Sequence, residues 1–352
     1  MELKSKINTE RLLDTLKAVL DTPSVVGYTA QIHPLLEKMA GQLGYTVEYD
    51  RRRCAYIRIP GKDDSRTICM GAHLDTIGMV VRSITPEGWL NVRNLGGVNF
   101  HSVEGENVYI HTRSGKTYTG SVICKSHSVH VFDDARSRER DFAEMAILID
   151  EDVNSPEEVR ALGIQPGDLI SVEPRCVITP AGFIKSRHLD DKASVAALFE
   201  TLAVMKEERL QPAFNVLMAF PIHEEIGLGG RYVPENVDAY IALDIGLIGG
   251  EQNGTEKTVT IGAADRIAPY DWQMTTRVQE IAKEVGAEAV MDIYYRYASD
   301  ATAAFNGANN IIPVTFGMAV VSSHGYERTH IDGIVNTTLL ALGCMLDEKL
   351  FD

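Results

Sequence analysis

The sequence predicts an α/β fold in which a helix-and-strand domain made from both ends of the chain carries a small inserted β domain. Three observations predict it. Apolar residues near both ends repeat at helical spacing and alternate with short buried runs. From about residue 77 to 174 the texture changes to short alternating runs parted by Gly, Asn, Ser and Pro turns. Ionisable clusters fall just after the apolar runs. With 352 residues, 45% of them hydrophobic, the chain is long enough for two domains and an ordinary core.

Taken in order, Leu12, Leu13, Leu16, Val19 and Leu20 mark a first helix that Asn8 or Thr9 can cap, and TPSVVGYT breaks it. A second amphipathic stretch over 30–43 ends at Gly44, and the strand-like runs TVEYD and YIRIP follow. TICMGAHLD is an apolar run that stops at a histidine and an aspartate. The insert contains NVYIHT, TYTGSVICK, EMAILID and DLISVEP, which read as an all-β unit. A helix over 191–206, the strands FNVLMAFPI and AYIALD, a helix over 272–285, the strand IIPVTFG and a helix over 331–346 complete the chain. The expected division is residues 1–76 with 175–352 as one domain and 77–174 as the other.

A formal charge of -15 argues against nucleic acid, since a binder needs a basic stripe to neutralise phosphates. The triplet RRR at 51–53 reads as a solvated turn. No run of about 18 apolar residues is present, and MELKSKINTERLL is charged where an export signal would be apolar, so a cytoplasmic protein without membrane contact is expected. Five scattered cysteines without a CxxC pair give neither a disulfide framework nor a zinc knuckle.

TICMGA leads into His73 and Asp75, NVLMAFPI into His223, Glu224 and Glu225, AYIAL into Asp244, and VTFGMAVVSS into His324. Open α/β sheets bind ligands outside the carboxyl ends of their strands, so these segments are expected to share one site. Taken singly, each has an ordinary explanation. A histidine after a strand is commonly a satisfied polar residue, and Asp190 and Asp191 can serve the start of the following helix. The adjacent acids Glu224 and Glu225 are harder to explain without a compensating cation. Together, the mixed nitrogen and oxygen donors suit zinc, with cobalt or manganese also able to use them. Two ions about 3.5 to 4 Å apart need one bridging carboxylate and terminal ligands, a count that His73, Asp190, Glu225, Asp244 and His324 supply. Asp75 stands at a distance suited to orienting the His73 imidazole, and Glu224 is left free as a base.

GAHLDTIG, SRHLDDKAS, HEEIGLGG, ALDIG and SSHGYERTH, in that order, resemble the deblocking and glutamyl aminopeptidases that form tetrahedral shells, the cellulase-M-like family. The resemblance implies a three-layer α/β/α zinc-exopeptidase-like catalytic domain with an inserted small β-barrel that serves dimerisation. It implies a dinuclear site in which His73 and Asp244 hold one metal, Glu225 and His324 the other, and Asp190 bridges. It further implies peptide as substrate, a metal-activated water with Glu224 as general base, and dimers assembled into a dodecamer. Where the family commonly has HSPxE, this chain has HGYE followed by RTH, so His330 is a second candidate for the last ligand.

Other readings stay open at this level. A dinuclear amidohydrolase acting on a modified short peptide or acylated amino acid would use the same metals, and a non-catalytic assembly protein would use the metals only for shape. Asp300 can contact substrate, support the site or cap a helix. AADRIAP can be an active-site loop or an ordinary turn.

Overall fold

The computed structural model describes residues 3–234 and 236–352. Its main sheet runs, edge to edge, through Glu48–Tyr49, Ala55–Ile59, Phe214–Phe220, Asp63–Gly71, Ala239–Leu243, Ile312–Val320, Val259–Ala264 and Ala289–Ile293. The central four, Phe214–Phe220 to Ile312–Val320, pair in parallel, so their carboxyl ends lie along one edge of the sheet.

Residue alternation on these strands sets the layers. Ile68, Met70, Met218 and Ile241 face a large core filled by the helices Thr9–Leu20, Ile32–Gln42, Leu189–Glu207, Trp272–Val285 and Ile331–Leu346. Cys69, Leu217, Ala219 and Tyr240 face a thinner layer in which the short helix Asp300–Asn306 supplies Ala301 and Ala304. Leu189–Glu207 is buried along nearly its whole length, which explains why it shows almost no amphipathic stripe.

The helices expected from periodicity form close to where they were expected. Asn8 is the cap of the first, its side chain accepting from the backbone N–H groups of Glu10 and Arg11. The strands Val259–Ala264 and Ala289–Ile293 were not expected; the second is half-exposed and carries no regular alternation.

The insert forms a closed barrel of the strands Gly78–Ile84, Leu90–Leu95, Met145–Ile149, Thr117–Cys124, Asn107–His111 and Leu169–Val172. Its neighbouring strands are antiparallel, and it encloses a separate core that includes Met79, Val92, Ile110, Val122 and Ile147. The expected β-barrel is present, and the reading as all-β is refined only by the short helices Phe100–Val103 and Pro156–Ala161 within it. Ser155 caps the second and Pro156 opens it, a helix start too short to show a periodic pattern. Among the described residues, no helix is long and apolar enough to cross a membrane.

Candidate metal centre

Each central parallel strand ends at an ionisable group. Asp63–Gly71 delivers His73, Phe214–Phe220 delivers Glu224 and Glu225, Ala239–Leu243 delivers Asp244, and Ile312–Val320 delivers His324. Asp190 arrives from elsewhere. It lies at the start of Leu189–Glu207, where Asp190 and Asp191 depart from helical geometry and the peptide between them is cis. The regular helix therefore begins only after the two aspartates.

These side chains meet. Asp190 Oδ1 lies 3.1 Å from His73 Nε2, and Asp190 Oδ2 lies 3.6 Å from His324 Nε2. His324 Nε2 is also 3.2 Å from Glu225 Oε2. Candidate ligand atoms of His73, Asp190 and Glu225 lie within 4.8 Å of one another, and so do those of His73, Asp191 and Asp244. Asp191 was read from the sequence only as a helix-start residue. Its Oδ2 accepts from the His73 backbone N–H at 3.2 Å while its buried Oδ1 has no partner.

The backbone aims both imidazoles. His73 Nδ1 is 2.9 Å from the Asp75 carbonyl, and His324 Nδ1 is 3.0 Å from the Gly97 carbonyl. A carbonyl can only accept, so each Nδ1 donates and each Nε2 is turned into the cluster. There it faces carboxylate oxygens. Such a contact requires either a proton, on the imidazole or on the carboxyl group, or a cation between the two groups. Gly97 comes from the barrel, and a Cβ at this position would stand 2.7 Å from His324 Nδ1.

Two buried carboxylates hold the cluster's backbone. Asp75 accepts from the N–H groups of Glu224 at 3.0 Å and Glu225 at 3.1 Å. Glu327 accepts from those of His324 at 3.0 Å and Asp190 at 3.1 Å. The second clamp secures His324 in a left-handed backbone conformation, φ 61°. The sequence led to a different expectation for Asp75. Its carboxylate is 3.7 Å from His73 Nδ1, too far for a hydrogen bond, and its carbonyl orients the ring instead. Asp75→Ala is expected to lower metal affinity or kcat/KM by about 10- to 100-fold, as loss of a supporting carboxylate does. Metal titration and steady-state kinetics check this.

The remaining candidates fall outside the cluster. His330 caps Ile331–Leu346, accepting from the Asp332 N–H at 3.1 Å, and its Nε2 faces the Ala181 carbonyl at 2.8 Å. His223 lies against Gly27. Asp300 does not cap its helix, a role filled by Ser299; its carboxylate accepts from the N–H of Gly230 in the turn after Glu225. Arg52, from the triplet read as a solvated turn, donates to the Leu228 carbonyl of the same turn. AADRIAP forms a tight turn in which Asp265 accepts from the N–H groups of Ile267 and Ala268 and from the hydroxyls of Tyr270 and Thr302.

Burial and crowding set the electrostatics of the cluster. Burial pushes Asp244 up to about 8, with nearby Asp190 adding to the shift. Burial and then the Asp244 charge lift Asp191 well above the usual carboxylate range. Glu224 is raised chiefly by burial, against the pull of His73. Against burial, the hydrogen bond and charge of Glu225 lift His324 to about 10. The chain alone therefore tends to hold protons where acids crowd. Divalent cations relieve the same crowding, and the donor set of two Nε2 atoms and several carboxylates fits zinc, cobalt or manganese.

Above the cluster is a cleft of about 400 Å³, lined by Asp190, Glu224, Glu225, Asp244 and His324 together with Leu247, Arg266, Arg296, Tyr297 and Ser323. Arg266 and Arg296 are exposed, and neither guanidinium has an ion-pair partner among the described residues. Sequence reasoning could not place either arginine.

A parallel α/β sheet with buried carboxylates and imidazoles at its carboxyl edge, and a closed barrel inserted after the first of these strands, defines a class of exopeptidase-like hydrolases. The chain belongs to the M42 glutamyl aminopeptidase family, whose profile matches residues 54–340. It is accordingly a peptide-bond hydrolase. The chain is 34% identical to the putative aminopeptidase YhfE of Bacillus subtilis (strain 168) over 334 residues, spanning 95% of this chain and 96% of that one. The fold is shared with the TET aminopeptidase of the marine sediment archaeon Thaumarchaeota archaeon SCGC AB-539-E09, with a TM-score of 0.86, 20% identity and coverage of 96% and 98%. It is likewise shared with the Pyrococcus horikoshii TET1 peptidase, which can assemble into a tetrahedron or a large octahedral shell, with a TM-score of 0.83, 21% identity and coverage of 96% and 99%.

Proposed function

We propose that the protein is a cytoplasmic metal-dependent aminopeptidase that removes N-terminal residues from peptides. Two divalent ions, zinc in first place and cobalt or manganese as alternatives, are assigned to His73, Asp190, Glu225, Asp244 and His324. The observation that carries this reading is that the two oxygens of Asp190 each meet a histidine Nε2 whose other nitrogen is held by a backbone carbonyl.

Bound there, the ions supply acidification of the attacking water and polarisation of the scissile carbonyl. The protein's own groups do the rest. Glu224, its Oε2 3.8 Å from His73 Nε2 and its N–H fixed by Asp75, accepts the water proton and passes it to the leaving amine. Asp75 and Glu327 keep the ligand backbones in register. The carboxylates of the cleft receive the free N-terminal amine of the substrate, which restricts cleavage to the chain end. With residues 1–76 and 175–352 as the catalytic domain, the barrel of 77–174 is assigned to dimerisation by resemblance to the family, and the dimers to a tetrahedral dodecamer. Light scattering tests this assembly.

The deciding experiment compares free and N-acetylated peptides on metal-loaded protein. Release of the first residue from free peptides only is expected. Cleavage of acetylated peptides with none of free ones would overturn the reading in favour of an amidohydrolase. The rim adds a preference. Arg266 and Arg296 line the cleft with no carboxylate partner among the described residues, so an acidic N-terminal side chain gains a charge-assisted hydrogen bond. At about 1.5 kcal/mol or more for such a bond, glutamyl substrates should exceed lysyl ones at least about tenfold in kcat/KM. Arg266→Ala with Arg296→Ala should erase that ratio while leaving leucyl substrates within about threefold.

A further inference from the structure

The cleft is rich in hydrogen-bond acceptors, and its strong donors, the Arg266 and Arg296 guanidiniums, are exposed at the rim. Asp190, Glu224, Glu225 and Asp244 present carboxylate oxygens, and the Ser323 hydroxyl is turned toward Asp190 at 3.4 Å. Tyr297 stands apart. Its side chain lines the same cleft, and its phenolic oxygen is buried with no geometric hydrogen-bond partner among the described residues. It lies close enough to the Asp244 carboxylate to offset part of the burial of that group.

The ring has little freedom to turn elsewhere. Tyr297 packs edge-on against Tyr294 with centroids 4.9 Å apart, and Tyr294 is anchored by its own hydroxyl, which donates to Thr260 at 2.8 Å. The Tyr297 carbonyl accepts from the Arg266 N–H at 2.9 Å, tying the two cleft loops together. A buried hydroxyl without a partner ordinarily carries a cost, which a ligand removes by accepting its hydrogen bond. Amide hydrolysis creates such an acceptor as the carbonyl oxygen gains negative charge.

We infer that Tyr297 is a catalytic residue whose phenolic O–H donates a hydrogen bond to the scissile carbonyl oxygen. This rests on the aminopeptidase reading. As the water oxygen bonds to the carbonyl carbon, the C=O π pair moves to the carbonyl oxygen, and Glu224 takes the water proton. Tyr297 keeps its proton throughout and stabilises that oxygen. When the carbonyl re-forms, the C–N bond breaks and its electron pair leaves with the amine, which receives the proton from Glu224.

Tyr297→Phe removes only the oxygen. On a free peptide, kcat is expected to fall about 10²-fold, the lower end of what loss of one such donor costs, with KM within about threefold. Metal content by elemental analysis should not change. Calorimetry with a phosphinic peptide, whose tetrahedral oxygens copy the transition state, should show a loss of affinity parallel to the loss of kcat. A kcat within twofold of wild type overturns the assignment, as does a raised KM at unchanged kcat. Loss of metal with full recovery of kcat in excess metal also overturns it, leaving Tyr297 a support for Asp244. A wild-type protein inert toward every free peptide removes the aminopeptidase reading itself. An active wild type with a normal Phe variant removes only the role of Tyr297.

Discussion

Glu224→Gln is expected to keep both metals and the fold while kcat falls by about 10²- to 10⁴-fold, the range associated with loss of a general base. The substitution preserves size and the backbone bond to Asp75, so the turn through Glu225 should stay in place. What it removes is the ability to hold a proton. The Glu224 carboxyl is buried beside His73 and close to the charges of Asp244, Asp300 and Glu225, and burial is the main force raising its affinity for protons. A carboxylate raised in this way is a better proton acceptor than a solvated one, and an amide has no comparable capacity. Glu225→Gln provides the contrast. Its oxygen touches His324, so that variant should lose metal as well as rate. Near-normal turnover in Glu224→Gln would defeat the role assigned to Glu224.

Asp190→Ala is expected to have the larger effect on binding. Among the described residues, it deletes the one carboxylate whose two oxygens each meet a histidine, at 3.1 Å and 3.6 Å, and leaves His73 and His324 without that shared partner. Metal content should drop from two equivalents toward none, and kcat/KM should fall below detection. Treatment of the wild type with a chelator should give the same loss, reversed by zinc, cobalt or manganese. Asp190→Ala should not recover on re-addition. An Asp190→Ala protein that retains two metals would remove the bridging role, whatever its activity.

Much of this arrangement was legible in the sequence, for a physical reason. Parallel strands buried on both faces appear as apolar runs, and the residue at which such a run ends marks the carboxyl edge of the sheet. His73, Glu225, Asp244 and His324 could therefore be gathered from distant segments. Asp190 was reached by donor chemistry instead, since no apolar strand leads directly into it. Other features had no such signal. Gly97 acts through its carbonyl and through the close approach of His324 that its missing Cβ permits, and its barrel origin is a matter of tertiary packing. Asp75 pairs its side chain with two backbone N–H groups that lie 149 and 150 residues away. Asp191 looked like part of a helix start because two acids before a helical run ordinarily favour the dipole, whereas here the backbone leaves helical geometry at both. Tyr297, Arg266 and Arg296 sit on loops, where periodicity carries no information about direction.

Crystals of the metal-loaded protein, measured at the absorption edge of the bound metal, test the central claim most directly. Two anomalous peaks are expected to flank the Asp190 carboxylate, one contacting His73 and Asp244 and the other Glu225 and His324, with Glu224 bound to neither. A single peak, peaks away from Asp190, or Glu224 serving as a ligand would contradict that claim.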